Sequence, residues 1–143
     1  MNKLKIWVLI LTLLTLSLPL SGCLAGREAK PAERIIRDLT VEEAAELLRN
    51  NTDNPDFVLL DVRTPEEFAD ERLDKAVNLD YYARNFREEL SRLDRDKLYL
   101  VYCRTGRRSG FALRMMDELG FKEAYNMIGG IVQWKAEGLP VFR

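Results

Sequence analysis

The chain has 143 residues, which is enough for one domain of ordinary size. It contains no histidine, which excludes hydrolases in which an imidazole activates a cysteine or serine nucleophile and also removes the commonest zinc ligand. The formal net charge of −1 gives no general attraction to nucleic acid, so we expect no such partner.

The first residues have the pattern of a secretory signal. Lys3 and Lys5 precede an apolar run over residues 6–20, and small residues follow. This run is shorter than the roughly 20 residues of a membrane span, so an uncleaved anchor fits the pattern less well.

The residues after the apolar run, Leu20-Ser21-Gly22-Cys23, resemble the bacterial lipobox. In that motif the cysteine becomes the lipid-bearing N-terminus after cleavage, and two or more acyl chains anchor a protein stably. The resemblance predicts a lipoprotein signal peptide over residues 1–22 and lipidation of Cys23. It also predicts a protein of the cell envelope that is anchored to a membrane and faces the periplasm or the exterior. An ordinary signal peptide with a coincidental cysteine is the alternative.

Beyond this leader, residues 23–34 are small and charged, as in a flexible tether, and residues 35–143 form the predicted domain. Apolar runs alternate with amphipathic segments through this domain. The predicted strands are Ile35-Ile36, Phe57–Leu60, Ala76–Leu79, Lys97–Tyr102 and Phe121–Met127. The predicted helices are Val41–Arg49, a short helix that starts at Thr64, Tyr82–Leu93, Ser109–Leu119 and Ile131–Ala136. The alternation predicts an α/β fold with a five-stranded parallel sheet and helices on both faces.

The stretch 98–109 combines a buried strand with a loop suited to an anion. Residues 98–102 are apolar or aromatic, as in a strand that is buried on both faces, and Cys103 follows. Gly106 allows a sharp bend that brings main-chain N–H groups close to a ligand. Such amides form an anion-binding nest, and the helix predicted from Ser109 adds the positive end of its dipole.

Three arginines, Arg104, Arg107 and Arg108, lie within five residues of this cysteine. Cationic neighbours and helix N-termini lower the pKa of a cysteine from about 8.5 to about 3.5–7.5. We therefore predict that Cys103 is a reactive thiolate that faces an anionic substrate. The alternative is an inert buried cysteine at the end of a core strand.

Asp61 ends the second predicted strand, and Cys103 follows the fourth. The carboxyl ends of parallel strands share one edge of the sheet, and ligands of such sheets bind there. Both residues should therefore lie on the same rim.

Four segments of the chain match a known family: residues 60–68, residues 103–108, the Gly129-Gly130 turn with Trp134, and residues 134–141. In these segments the chain resembles the single-domain rhodaneses, which are thiosulfate sulfurtransferases. The segments follow the order of the family, and the resemblance extends over about residues 35–141. The resemblance implies a rhodanese-like fold for the domain.

The resemblance also implies a sulfur transfer in two halves. Cys103 would take a sulfane sulfur from a small anionic donor such as thiosulfate, and the persulfide would then pass it to a thiol or to cyanide. No metal or other cofactor is required. Asp61 and Arg63 would support the loop, although a plain surface ion pair is equally open for Arg63. The residues that would bind the donor are Arg104, Thr105, Gly106, Arg107, Arg108 and Ser109.

Loop length separates this chain from related phosphatases, in which a cysteine is followed by five residues and an arginine. Here that position is Ser109, and Tyr102 rather than histidine precedes the cysteine. The shorter loop fits a sulfur atom better than a phosphate, which argues against a phosphatase or an arsenate reductase.

The segment 71–78 departs from the family. Relatives often have glycine, histidine, an aliphatic residue, proline and glycine where this chain has Glu71-Arg72-Leu73-Asp74-Lys75. This leaves open the form of the turn before the third strand and any partner contact made there.

Two other functions remain open from the sequence. One is a membrane-tethered persulfide carrier or binding module without efficient turnover. The other is an anion-binding scaffold in which Cys103 is inert. We expect a monomer in each case.

Overall fold

The computed structural model of the chain describes residues 33–143. The predicted signal peptide, Cys23 and all but the last two residues of the predicted tether lie outside this range. Between residues 33 and 143, no helix is both long enough and apolar enough to cross a bilayer.

Five strands alternate with five helices along the described residues. The strands are β1 (Ile35–Leu39), β2 (Phe57–Asp61), β3 (Val77–Asn78), β4 (Leu98–Tyr102) and β5 (Glu123–Met127). The helices are α1 (Val41–Asn50), α2 (Pro65–Asp70), α3 (Phe86–Arg92), α4 (Arg107–Glu118) and α5 (Gly130–Ala136).

The strands form one sheet in the order β1-β5-β4-β2-β3, and every neighbouring pair is parallel. The predicted five-stranded parallel sheet is therefore confirmed. The central strands β4 and β5 are almost entirely buried, and for β4 this burial explains a sequence that is apolar or aromatic throughout.

The apolar core is divided by the sheet into two clusters, because successive strand residues point to opposite faces. One cluster joins α1 and α5 to the sheet through side chains such as Leu100 and Trp134. The other joins α3 and α4 through side chains such as Val101 and Met116. Helices thus cover both faces, as predicted.

Helices α1 and α2 both begin with a capping box, which explains where they start. The hydroxyl of Thr40 accepts the N–H of Glu43, and the Glu43 carboxylate accepts the N–H of Thr40 at 2.8 Å. Thr64 and Glu67 repeat the arrangement, with Pro65 at the first helical position. Both helix starts agree with the sequence pattern.

Two helices begin two or more residues from their predicted start, and α5 begins one residue early, at Gly130. Helix α3 starts at Phe86 rather than Tyr82, because the preceding residues form turns in which Asp80 accepts the N–H of Tyr82. Helix α4 starts at Arg107, two residues before Ser109, because Gly106 takes the N-cap position with φ of 87°.

The atypical turn before β3 is well formed. Leu73 is buried, and its N–H donates to the hydroxyl of Tyr102 at 3.1 Å. Lys75 has φ of 59°, the left-handed conformation that favours glycine, and it stands where family relatives often have one. The charged replacements therefore leave β3 paired with β2.

Candidate active site

Cys103 follows the last residue of β4 and is only 1% exposed. Its Sγ accepts two hydrogen bonds, one from the loop that follows and one from the first turn of α4. The N–H of Gly106 donates at 3.2 Å, and the hydroxyl of Ser109 donates at 3.4 Å. Ser109 is itself fully buried, so it acts on the sulfur from beneath the loop.

The backbone at Gly106 is bent as the sequence predicts. With φ of 87°, it occupies the left-handed region, and a Cβ there would lie 3.0 Å from the N atom of Gly129 and 3.1 Å from the carbonyl oxygen of Met127. A larger residue would therefore push the loop away from the end of β5.

Two opposing effects set the pKa of the Cys103 thiol. Burial raises the pKa, since it disfavours the charged form, but hydrogen bonds to the sulfur lower it. The donors are the Ser109 hydroxyl and the N–H groups of Ser109, Thr105 and Gly106. Their combined effect outweighs burial, so the pKa lies below its ordinary value. The main stabilising groups are thus the loop's own donors rather than the guanidinium groups that the sequence emphasised.

The first turn of α5 holds the loop from the opposite side. The N–H of Ile131 donates to the carbonyl of Cys103 at 2.9 Å, and that of Val132 donates to the carbonyl of Arg104 at 3.1 Å. Gly130 makes this approach possible, because a Cβ there would lie 2.6 Å from the Arg104 carbonyl oxygen. The family resemblance includes the Gly129-Gly130 turn but does not imply this role for it.

The three loop arginines have different surroundings. Arg104 and Arg107 are exposed, and neither forms an ion pair with any of residues 33–143. Arg108 is half-buried, and its guanidinium donates to both carboxylate oxygens of Glu67, at 2.7 and 2.8 Å. Glu67 is not among the site residues predicted from the sequence, and an arginine-rich loop in need of a counter-charge was the available signal.

A cleft of about 370 Å³ opens over this loop. The exposed Arg104 and Arg107 and the half-buried pair of Arg108 and Glu67 line this cleft, so its walls carry mainly charged and polar groups. The lining residues are Thr64, Glu67, Tyr82, Arg104, Thr105, Arg107 and Arg108.

Asp61 and Arg63 form a buried pair beside the same rim. The Arg63 Nε donates to both Asp61 carboxylate oxygens at 3.0 Å, and its Nη2 donates to Oδ2 at 2.7 Å. The guanidinium carbon lies 5.7 Å from the ring centre of Tyr102, the residue before the cysteine. The pair is therefore interior rather than the surface ion pair that the sequence left open.

Comparison with known proteins gives the family of this chain. A family model described as a rhodanese-like domain matches residues 43–137. The chain belongs to the rhodanese-like family.

Relatives of this rhodanese-like chain include a sulfurtransferase of Allochromatium vinosum, which is 31% identical over 69% of this chain and 91% of the relative. The thiosulfate sulfurtransferase GlpE of Coxiella burnetii is 35% identical over 66% of this chain and 82% of the relative. A crystal structure of a rhodanese-related protein from Thermoplasma volcanium superposes with a TM-score of 0.61 and 31% identity, and covers 74% of this chain and 97% of that one. The predicted family and the predicted enzyme class are confirmed: the chain is a thiosulfate sulfurtransferase-like enzyme.

A second, larger cleft in the rhodanese-like domain lies away from the cysteine. It has a volume of about 530 Å³ and is lined mainly by apolar side chains of α1, β2 and the C-terminal residues. It contains none of the predicted site residues, so we place the candidate active site at the smaller polar cleft. Among residues 33–143, no group of three or more cysteine, aspartate or glutamate side chains could hold a metal ion.

Proposed function

We propose that this sulfurtransferase carries sulfane sulfur as a persulfide on Cys103, from a small anionic donor such as thiosulfate to a thiol or to cyanide. The observation that carries the proposal is the pair of hydrogen bonds to the Cys103 sulfur, from the Gly106 N–H and the Ser109 hydroxyl, in a loop whose exposed residues are cationic. A sulfur that is held as thiolate can react without a base.

In the first half-reaction, the Cys103 thiolate attacks the outer sulfur of thiosulfate. A new sulfur–sulfur bond forms, the bond inside thiosulfate breaks, and its electron pair leaves with sulfite. The exposed guanidinium groups of Arg104 and Arg107 attract the anionic donor, and the N–H groups of Thr105 and Gly106 stabilise the charge at the sulfur.

In the second half-reaction, a thiolate or cyanide attacks the outer sulfur of the persulfide. The bond to Cys103 breaks, and the enzyme thiolate returns with the electron pair. Neither half needs a metal or a histidine. The buried pair of Asp61 and Arg63 supports the end of β4 through Tyr102, and it takes no part in bond making.

The decisive experiment is incubation of the full chain with thiosulfate, followed by intact mass spectrometry. We expect the mass to increase by one sulfur atom, and we expect thiocyanate to form when cyanide is added. Cys103→Ser should lose both signals. Catalysis that survives in this variant would overturn the proposal.

The same experiment distinguishes the alternatives. A persulfide that forms but turns over negligibly with cyanide and with small thiols would indicate a tethered carrier. Absence of the persulfide would indicate an anion-binding scaffold with an inert cysteine. Because Cys103 is 1% exposed, its reaction with a small reagent is the sharpest measure of access.

The lowered pKa of Cys103 predicts the pH dependence of that reaction. Alkylation by iodoacetamide requires the thiolate, so its rate should rise with pH and level off above the pKa of the thiol. We expect the midpoint below the ordinary pKa of a cysteine. A midpoint at or above that value would contradict a thiolate held by the loop.

We also propose that the enzyme is a lipoprotein of the cell envelope, anchored through Cys23. This rests on the lipobox-like residues 20–23, which lie outside the described residues. Cys23→Ser should move the protein from the membrane fraction to the soluble fraction. Mass spectrometry of protein taken from membranes should find lipid on Cys23 and sulfur on Cys103.

A further inference from the structure

Arg108 is fixed in the wall of the active-site cleft by contacts on two sides. Its guanidinium donates to both carboxylate oxygens of Glu67, and the ring centre of Tyr82 lies 5.5 Å from the guanidinium carbon. The two contacts come from α2 and from the turn before α3. A bidentate pair of this kind restrains the guanidinium far more than a single contact would.

Glu67 is positioned independently of Arg108. Its carboxylate accepts the N–H of Thr64 at 3.1 Å, while its own N–H donates to the Thr64 hydroxyl at 3.3 Å. The hydrogen bonds from Arg108 lower the pKa of Glu67 to about 2, and the positive charge of Arg63 acts in the same direction. The carboxylate is therefore fixed by its own helix and ionised at any physiological pH.

This pairing changes what the loop presents to an anion. The charge of Arg108 is largely cancelled by the adjacent carboxylate, whereas Arg104 and Arg107 have no such partner among residues 33–143. The negative charge of the Cys103 thiolate also stabilises the charged form of Arg108 and acts to raise its pKa. The net field at the sulfur thus depends on Glu67, which never touches the sulfur.

We propose that Glu67 is a positioning residue that determines which charge of donor the enzyme prefers. It holds Arg108 in the cleft wall, and it limits the positive potential at the Cys103 thiolate and at the donor. The donor is then bound by Arg104, Arg107 and the loop amides rather than by Arg108. This inference rests on the proposed function, because it assigns the donor to the cleft over Cys103.

Glu67→Gln is the direct test, since glutamine keeps the size of the side chain and can still complete a capping box. With the carboxylate gone, the charge of Arg108 should act fully on the site. We define the donor ratio as the specificity constant for dianionic thiosulfate divided by that for a monoanionic thiosulfonate. We expect this ratio to rise by about threefold to tenfold. We also expect the midpoint of Cys103 alkylation by iodoacetamide to move to lower pH.

Glu66→Gln is the matched control. Glu66 is the neighbouring residue in the first turn of α2, carries the same charge and is exposed. It should change the donor ratio by less than about twofold, since exposed charges are screened by solvent. A Glu67→Gln enzyme that behaves like Glu66→Gln in both readouts would overturn the proposal.

Arg108→Gln should have the opposite effect, because it leaves the Glu67 carboxylate without its counter-charge. The donor ratio should fall and the alkylation midpoint should move to higher pH. The double variant Glu67→Gln/Arg108→Gln should return both readouts towards those of the unmodified enzyme. A double variant that keeps the full effect of Glu67→Gln would mean that the charge of Arg108 does not cause that effect, and would overturn the proposal.

Alkylation keeps the two proposals separable, because it needs no sulfur donor. If the unmodified enzyme transfers no sulfur but Glu67→Gln shifts the alkylation midpoint, the proposed donor chemistry is refuted and the coupling between Glu67 and Cys103 is supported. Normal sulfur transfer with an unshifted midpoint and an unchanged donor ratio would refute only the role of Glu67.

Discussion

Two pairs of arginine and carboxylate flank the cysteine loop, and they differ mainly in burial. Asp61 and Arg63 have side chains that are 0% and 3% exposed, whereas those of Glu67 and Arg108 are 29% and 14% exposed. Both pairs have bidentate geometry at similar distances. The comparison indicates that an arginine–carboxylate pair stabilises the fold where it is buried and can adjust the chemistry of the site where it is partly exposed.

We call Asp61 and Arg63 the inner pair, and Glu67 and Arg108 the outer pair. The inner pair forms further hydrogen bonds with the main chain. Asp61 also accepts the main-chain N–H of Arg63, and Arg63 donates to the carbonyl of Glu71. Removal of one partner would leave a charge in the interior, which costs far more than loss of a pair at the surface. The outer pair is partly exposed at the cleft, so substitution of either partner costs little stability.

Arg63→Met is expected to have the largest effect on stability. It leaves the Asp61 carboxylate buried without its partner, which costs about 3–5 kcal/mol in free energy of unfolding. Urea denaturation followed by circular dichroism measures this loss. Asp61→Asn in the same chain should recover part of it, and a loss below about 1 kcal/mol would contradict the buried arrangement.

Tyr102→Phe tests the contact that joins the inner pair to the turn before β3. The substitution leaves the buried N–H of Leu73 without its acceptor, which costs about 1–3 kcal/mol. Tyr125→Phe is the control, since its hydroxyl donates to Glu123 near the surface. Equal losses of unfolding free energy in the two variants would show that the hydrogen bond to Leu73 stabilises the fold no more than the one near the surface.

Arg108→Met should have the smallest effect on stability, about 1 kcal/mol or less at neutral pH. The pKa of Glu67 falls from 4.5 to about 2 on folding, so the pair stabilises the fold fully above pH 4.5. This contribution is lost as the pH falls towards 2. The difference in stability between the two proteins should therefore shrink over that interval, and a difference that grows would contradict the assignment.

Much of the fold could be predicted from local sequence. The capping residues Thr40 and Thr64 mark two helix starts, and the apolar run before Cys103 marks the central strand. Local patterns succeed here because they record interactions within one element. Helix α4 starts two residues before the predicted Ser109, because Gly106 takes the N-cap position and the Ser109 hydroxyl donates to the cysteine sulfur from within the first turn.

The site was predictable only in part, since its finer contacts join distant segments. Cys103 and Gly106 could be identified because strand, nucleophile and glycine are adjacent in sequence. The contact between Glu67 and Arg108 spans 41 positions, and no local pattern records it. The approach of Gly130 to the Arg104 carbonyl likewise depends on the packing of α5 against the loop.

The depth of the Cys103 sulfur has a consequence for its chemical durability. Exchange with a disulfide requires a thiolate to approach one sulfur of a molecule that carries substituents on both sides. The loop that covers the Cys103 sulfur excludes such wide reagents. A narrow anion such as thiosulfate can approach with its terminal sulfur first. We therefore expect oxidised glutathione to react with this thiol far more slowly than its lowered pKa would suggest.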